Sequence, residues 1–181
     1  MTTTVDLQYP IGRFTHVMSA TDRPMRRAAI DDIAALPVRM RAAVAGLSDA
    51  QLDTPYRAGG WTARQVVHHV PDSHVNAYIR LKLALTENEP TITPYDEKKW
   101  AILADTRMPV EVSLSLLDSI HARWVAVCRD LKPSDWARTF IHPEYPEGPR
   151  TIDWLVQVYA WHSNHHVAHI TSLRRREGWP A

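Results

Sequence analysis

A single cysteine, Cys128, is all the thiol chemistry this sequence carries. It rules out an internal disulfide and suits a reducing compartment. Charge of one sign is also lacking: the formal net charge is +1 with neutral histidine, which leaves no electrostatic footprint for nucleic acid. No apolar run approaches the roughly 18 residues that a membrane-crossing helix needs. The chain opens MTTTVDLQYPIGRF, which does not read as a basic-then-apolar leader. These absences lead us to expect a cytoplasmic protein without a membrane or nucleic-acid partner. Three catalytic signatures are missing too. There is no G-x-S-x-G nucleophile elbow, no glycine-rich phosphate loop and no H-E-x-x-H. Internal repeats and low-complexity tracts are likewise absent.

What is present is ordinary in bulk. Hydrophobic residues make up 45% of the 181 and charged residues 23%. That is enough for one domain over residues 1–181 with a core of its own. Residues 1–22 hold Pro10 and Gly12 and read as an extended arm. From Arg23 to Leu47, Ile30, Ile33, Leu36, Met40, Val44 and Leu47 recur at helical period, with Pro37 expected to kink or split the helix. Ser48 with Gln51, and Thr62 with Gln65, are capping-box pairs. The second predicts a helix from Thr62 to about Leu85. Thr86 to Pro109 reads as loop, Leu114 to Leu131 as a third amphipathic stripe, and His142 to Pro149 as another loop. Thr151 to Arg176 is the fourth helix, with three arginines suiting its negative end and Gly178 as a stop. No stretch alternates as a strand. The expected class is all-α, a four-helix bundle with long connecting loops.

Histidine is the residue that stands out. Seven of the ten fall at two places: His68, His69 and His74 on the second helix, and His162, His165, His166 and His169 on the fourth. His162 and His166 are four apart and share a stripe with Leu155, Tyr159, Ile170 and Leu173. Inward imidazoles cost free energy unless their nitrogens find partners, and a divalent metal is one such partner. Two core histidines bonded to backbone carbonyls would be the plainer reading. On the second helix, His74 lies on the apolar stripe with Val67, Val70, Tyr78 and Leu81, whereas His69 lies on a polar line with Ser73, Asn76 and Arg80. Spacing leaves the choice between His69 and His74 open. His68 faces away from both. His165 and His169 flank the stripe, as support, substrate contacts or solvent-facing groups. Cys128 reads as a packed small hydrophobe, and Tyr95 to Trp100 as a charged loop, solvated by default, that could fold over a cleft.

These residues sit inside longer motifs: Tyr9-Pro10-Ile11-Gly12, QLDTPYRAGGWTARQVVHH from Gln51 to His69, DSHVNAYIRLKLALTE from Asp72 to Glu87, Pro94 to Lys98, and YAWHSNHHVAHI from Tyr159 to Ile170. Over nearly its whole length the chain resembles the DinB/YfiT-type metalloproteins, and the YfiT branch most closely. That branch is known as metal-dependent hydrolases and as bacillithiol transferases. The resemblance implies a four-helix bundle and one divalent ion per subunit, zinc or nickel, on His69, His162 and His166. It also implies a cytoplasmic homodimer and a low-molecular-weight thiol as cosubstrate. Pro71 departs from the family, which more often has alanine there. Three chemistries follow as expectations. The first is thiol transfer, with Ser73, Asn76 and Arg80 as cleft residues that could bind an anionic thiol; an Arg80 salt bridge is the structural counterpart. The second is hydrolysis, with Asp72, Asp96 or Glu144 as general base. The third is a closed, non-enzymatic metal site with His74 or His165 as fourth ligand.

Overall fold

A computed structural model describes residues 6–17 and 23–180. Four long helices dominate: α1 (Arg23–Val44), α3 (Ala63–Thr86), α5 (Val110–Arg129) and α6 (Ile152–Arg176). Two short ones, α2 (Asp49–Leu52) and α4 (Glu97–Trp100), lie in the connections. β1 (Thr139–Phe140) and β2 (Arg150–Thr151) pair antiparallel, Thr139 opposite Thr151 and Phe140 opposite Arg150.

Around the bundle, α1 packs on α5 and α6, and α3 packs on the same two. The first and second long helices therefore lie across the bundle from each other, as do the third and fourth. Two of the three steps between successive long helices, α1 to α3 and α5 to α6, therefore cross the bundle, and each needs a connection long enough to span it. The core between them includes Ile33, Leu36, Met40, Leu81, Leu117, Trp124, Phe140, Leu155, Ile170 and Leu173, all below 5% exposed.

Local chemistry sets the helix ends. Thr62 accepts from the Gln65 amide at 3.1 Å and its own amide donates to the Gln65 side chain at 2.9 Å. Ser48 and Gln51 make the same reciprocal pair. Thr151 caps α6 by accepting from the Trp154 amide. At the other end Gly178 takes φ +68°, and the Trp179 amide turns back to the Arg174 carbonyl. A left-handed backbone there is open to glycine at little cost.

Three expectations are corrected. Pro37 does not split α1; like Pro71 in α3, it is buried inside a continuous helix. Each ring removes one hydrogen bond, and packing on two neighbouring helices holds the turns on either side. The span from Thr86 to Pro109 is not all loop, since it contains α4 and a 3-10 turn at Ala104–Arg107. The β1–β2 ladder was not foreseen, because two-residue strands carry no periodicity. It closes the base of the segment from His142 to Pro149.

The arm runs along α6. Val17 and the Gln157 side chain exchange two hydrogen bonds at 3.1 Å, His16 meets Asp153 at 3.4 Å, and the Trp161 indole donates to the Gly12 carbonyl. The rest of the expected arm, residues 1–5 and 18–22, lies outside the described residues.

Candidate metal centre

α3 and α6 bring His69, His162 and His166 together, with one ring nitrogen from each within 4.8 Å of the others. The rings of His69 and His166 are 4.9 Å apart and those of His162 and His166 are 4.3 Å apart. Trp61 covers His69 at 4.6 Å. The three rings line a cavity of about 370 Å³ together with Ser73, Arg80 and Tyr95.

The protonation of these rings can be worked out from two backbone carbonyls, which only accept. The Ile33 carbonyl lies 2.6 Å from His121 Nδ1, so that nitrogen carries the proton. Burial pulls the His121 pKa down to about 4 and keeps the ring neutral, leaving Nε2 bare. Nε2 then accepts from His74 Nδ1 at 2.9 Å. His74 is fully buried and its pKa is lowered by desolvation. Its bare Nε2 accepts in turn from His162 Nδ1 at 3.0 Å. A second chain starts at the Gln8 carbonyl, which accepts from His169 Nε2 at 3.1 Å. His169 Nδ1 then accepts from His166 Nδ1 at 3.3 Å.

Both chains end the same way. The Nε2 atoms of His162 and His166 keep only lone pairs, and they face each other at 3.1 Å. Two lone pairs at that distance repel unless a cation lies between them. Two nitrogens on one tetrahedral zinc ion, each at about 2.0–2.1 Å, stand roughly 3.3 Å apart. The donor set therefore fits a divalent ion. Desolvation lowers the pKa of His162 and His166 and pulls His69 down to about 4, so all three are available as neutral ligands.

The remaining expectations sort as follows. His74, the inward choice of the helical wheel, is spent through both nitrogens and is not a fourth ligand. His165 does not join the cluster; it stacks on Trp161 at 4.4 Å with its pKa drawn down to about 3 by burial. His68 bonds Ser113 and the Met108 carbonyl on the far side of α3. Ser73 and Arg80 line the cleft, and Ser73 Oγ lies 3.2 Å from the Tyr159 hydroxyl. Asn76 does not; it donates to the Asp72 carbonyl within its own helix.

Two expected bases are displaced. Asp96 is an exposed helix cap, bonded to the Lys99 amide. Asp72 stands outside the cleft, its pKa raised to about 6 by burial and by Asp105. Glu144 does line the cleft, joined by Glu97 from the segment expected to be solvated, and both are exposed at its mouth. Cys128 is buried as expected, its thiol pushed up to about 12.

Sequence reasoning missed His121, Tyr9, Tyr56, Trp61, His142 and Tyr145. Only His121 left a usable trace. It lies three positions before Trp124, on the buried side of α5.

The fold and the cluster define a helical bundle built around a three-histidine centre. Comparison with known proteins gives the family. The model of the DinB superfamily matches residues 33–170, and the chain belongs to that superfamily. Curated relatives from Bacillus mycoides (strain KBAB4) and Bacillus cereus (strain B4264) are each 53% identical over 174 residues, 96% of this chain and 99% of theirs. Both are named "Putative metal-dependent hydrolase". Among solved structures, YfiT from Bacillus subtilis is 46% identical with a TM-score of 0.93, covering 97% of this chain and 100% of that one. It is described as a probable metal-dependent hydrolase with an unusual four-helix bundle topology.

Proposed function

We propose that this protein is a metal-dependent enzyme whose ion, zinc or nickel, is held by His69, His162 and His166, and that it transfers a low-molecular-weight thiol to an electrophile. The observation that carries the metal is the pair of bare Nε2 atoms 3.1 Å apart. A divalent ion on three neutral imidazoles supplies Lewis acidity that ionises a thiol near neutral pH. His69, His162 and His166 would hold the ion in the cleft that Trp61 and Tyr95 also line, so that a thiol and an electrophile bound there would be kept close together. Thiol transfer needs no protein base once the thiol is ionised. That suits a cleft whose buried part has no lining carboxylate among the described residues.

Hydrolysis is the second reading. It is favoured by the names of the relatives and by Glu144 and Glu97 at the mouth, either of which could take a proton from water. The family resemblance further supports a bacillithiol-like cosubstrate and a cytoplasmic homodimer. No helix among the described residues is long and apolar enough to cross a membrane.

The test is a panel assay on protein of measured metal content. Bacillithiol, glutathione, cysteine and coenzyme A are offered with a chromogenic electrophile, and ester and amide substrates are run without thiol. Conjugation that disappears in His162→Ala is the expected result. Metal-dependent hydrolysis with no conjugation would replace the first reading by the second. No metal on the protein would overturn both.

A further inference from the structure

Arg80 is a buried cation without an anion. Only 8% of it is exposed, yet it makes no ion pair among the described residues. It lies against the Tyr159 hydroxyl and donates to the Thr93 carbonyl at a long 3.5 Å. Neither partner bears negative charge, because burial pushes the Tyr159 pKa up. The other buried arginines are better provided for. Arg64 pairs with Asp49 and Asp53, and Arg174, also without an anion, donates to the carbonyls of Ala43, Ala45 and Pro180. A buried charge left unpaired destabilises a fold by several kcal/mol unless something arrives to pair it.

The location says what could arrive. Arg80 and His162 line the same cleft, and both also line a second, adjoining cavity of about 200 Å³ walled by Phe140, Trp154 and Trp161. The carboxylates of the cleft, Glu97 and Glu144, are exposed and form no bridge to Arg80. His142 at this end is held neutral, its pKa pulled to about 4 by burial and by Arg80 and Arg150. Arg150 is already paired with Glu147. One unpaired guanidinium matches one negative charge, and its planar fork matches a carboxylate in two parallel hydrogen bonds.

We propose that Arg80 is the anion-recognition residue of the site, receiving a carboxylate on a substrate or cosubstrate whose reacting group lies at the three-histidine centre. The molecule turned over is then a carboxylic acid, anchored at one end by Arg80 and packed along its length against aromatic walls. The proposal deepens the metal reading and rests on it for the position of the reacting end.

Calorimetric titration with two isosteric probe pairs tests it. On protein of measured metal content, 3-mercaptopropionate is compared with 3-mercapto-1-propanol. Glutarate is compared with 1,5-pentanediol on both metal-loaded and metal-free protein. The expected result is that each carboxylate binds about tenfold or more tightly than its neutral partner, the worth of a charge-assisted hydrogen bond. Arg80→Gln should erase that preference and Arg80→Lys should keep part of it, both with unchanged metal content. Arg80→Gln should also melt no lower than the parent, since it removes an unpaired charge; a marked drop would mean a structural partner was lost and would count against the proposal. If Arg80→Gln does not fold, the parent decides alone: no preference within either pair overturns the proposal. Protein that takes up no metal but still prefers glutarate would sink the metal reading and leave the Arg80 assignment standing.

Discussion

At the scale of single residues, the centre depends on atoms that never reach it. The Ile33 carbonyl fixes the proton on His121, and through His74 that choice bares the nitrogen that His162 would offer to an ion. Replacing His121 by phenylalanine keeps the ring volume and removes the relay. His74 is then free to take the wrong tautomer. Metal affinity should fall roughly 10–100-fold, the usual cost of losing a group that orients a ligand. Chelator competition measures it, and an unchanged affinity would mean that His162 is oriented by packing alone. The sequence made part of this legible. A spacing of four on an apolar stripe was enough for His162 and His166. The wheel could not separate His69 from His74, because it ranks faces by apolarity, and an open cleft edge is less apolar than a dry core. Only the longer family motif favoured His69. The relay was out of reach, since it links α3, α5 and α6 through side chains whose meeting is set by helix order.

Helix ends, by contrast, follow from neighbours in sequence. Both capping boxes stand where the sequence placed them, and Thr151 caps α6 in addition. Thr62→Ala removes one side of the box that starts α3, and should lower stability by about 1 kcal/mol. Urea denaturation at fixed metal content checks this, and a shift well above that would show that Thr62 also holds the Pro55–Thr62 bridge. Short elements without a capping box were not legible. The helix at Glu97 and the β1–β2 ladder exist because their ends are tied to distant segments, as where the Ile92 amide donates to Ile141 and the Ile141 amide to Pro90. Those ties bring Tyr95, His142 and Tyr145 to the cleft. Pro37 marks the opposite limit. Local rules allowed a split at Pro37, and packing on two flanking helices outweighs the hydrogen bond that ring removes.

For the whole molecule, the burial of so many neutral imidazoles ties stability to pH. In the fold His121 and His142 have pKa values near 4, against about 6.5 in an open chain. Between those values the unfolded chain binds more protons than the folded one. Their contribution is therefore complete above about pH 6.5, declines as pH falls toward 4, and is lost below that. Asp72 runs the other way, since its raised pKa favours the fold as it gains a proton. The histidines outnumber it. Metal-free protein should therefore unfold at lower denaturant at pH 5 than at pH 7. An equal midpoint at the two values would contradict the burial of these rings as neutral groups.

The hydrogen bond from His169 to the Gln8 carbonyl joins positions 161 apart. His69 must likewise meet His162 and His166 across about half of the chain. Contacts of such long range close late in folding, because the entropy of a large loop has to be overcome first. The last turns of α6 and the arm must both be in place before all the lone pairs point inward. An ion that binds only that arrangement adds its binding free energy to the folding of the entire chain. A bound ion would thus work as a clasp, and its loss should be felt first where the two ends of the sequence meet.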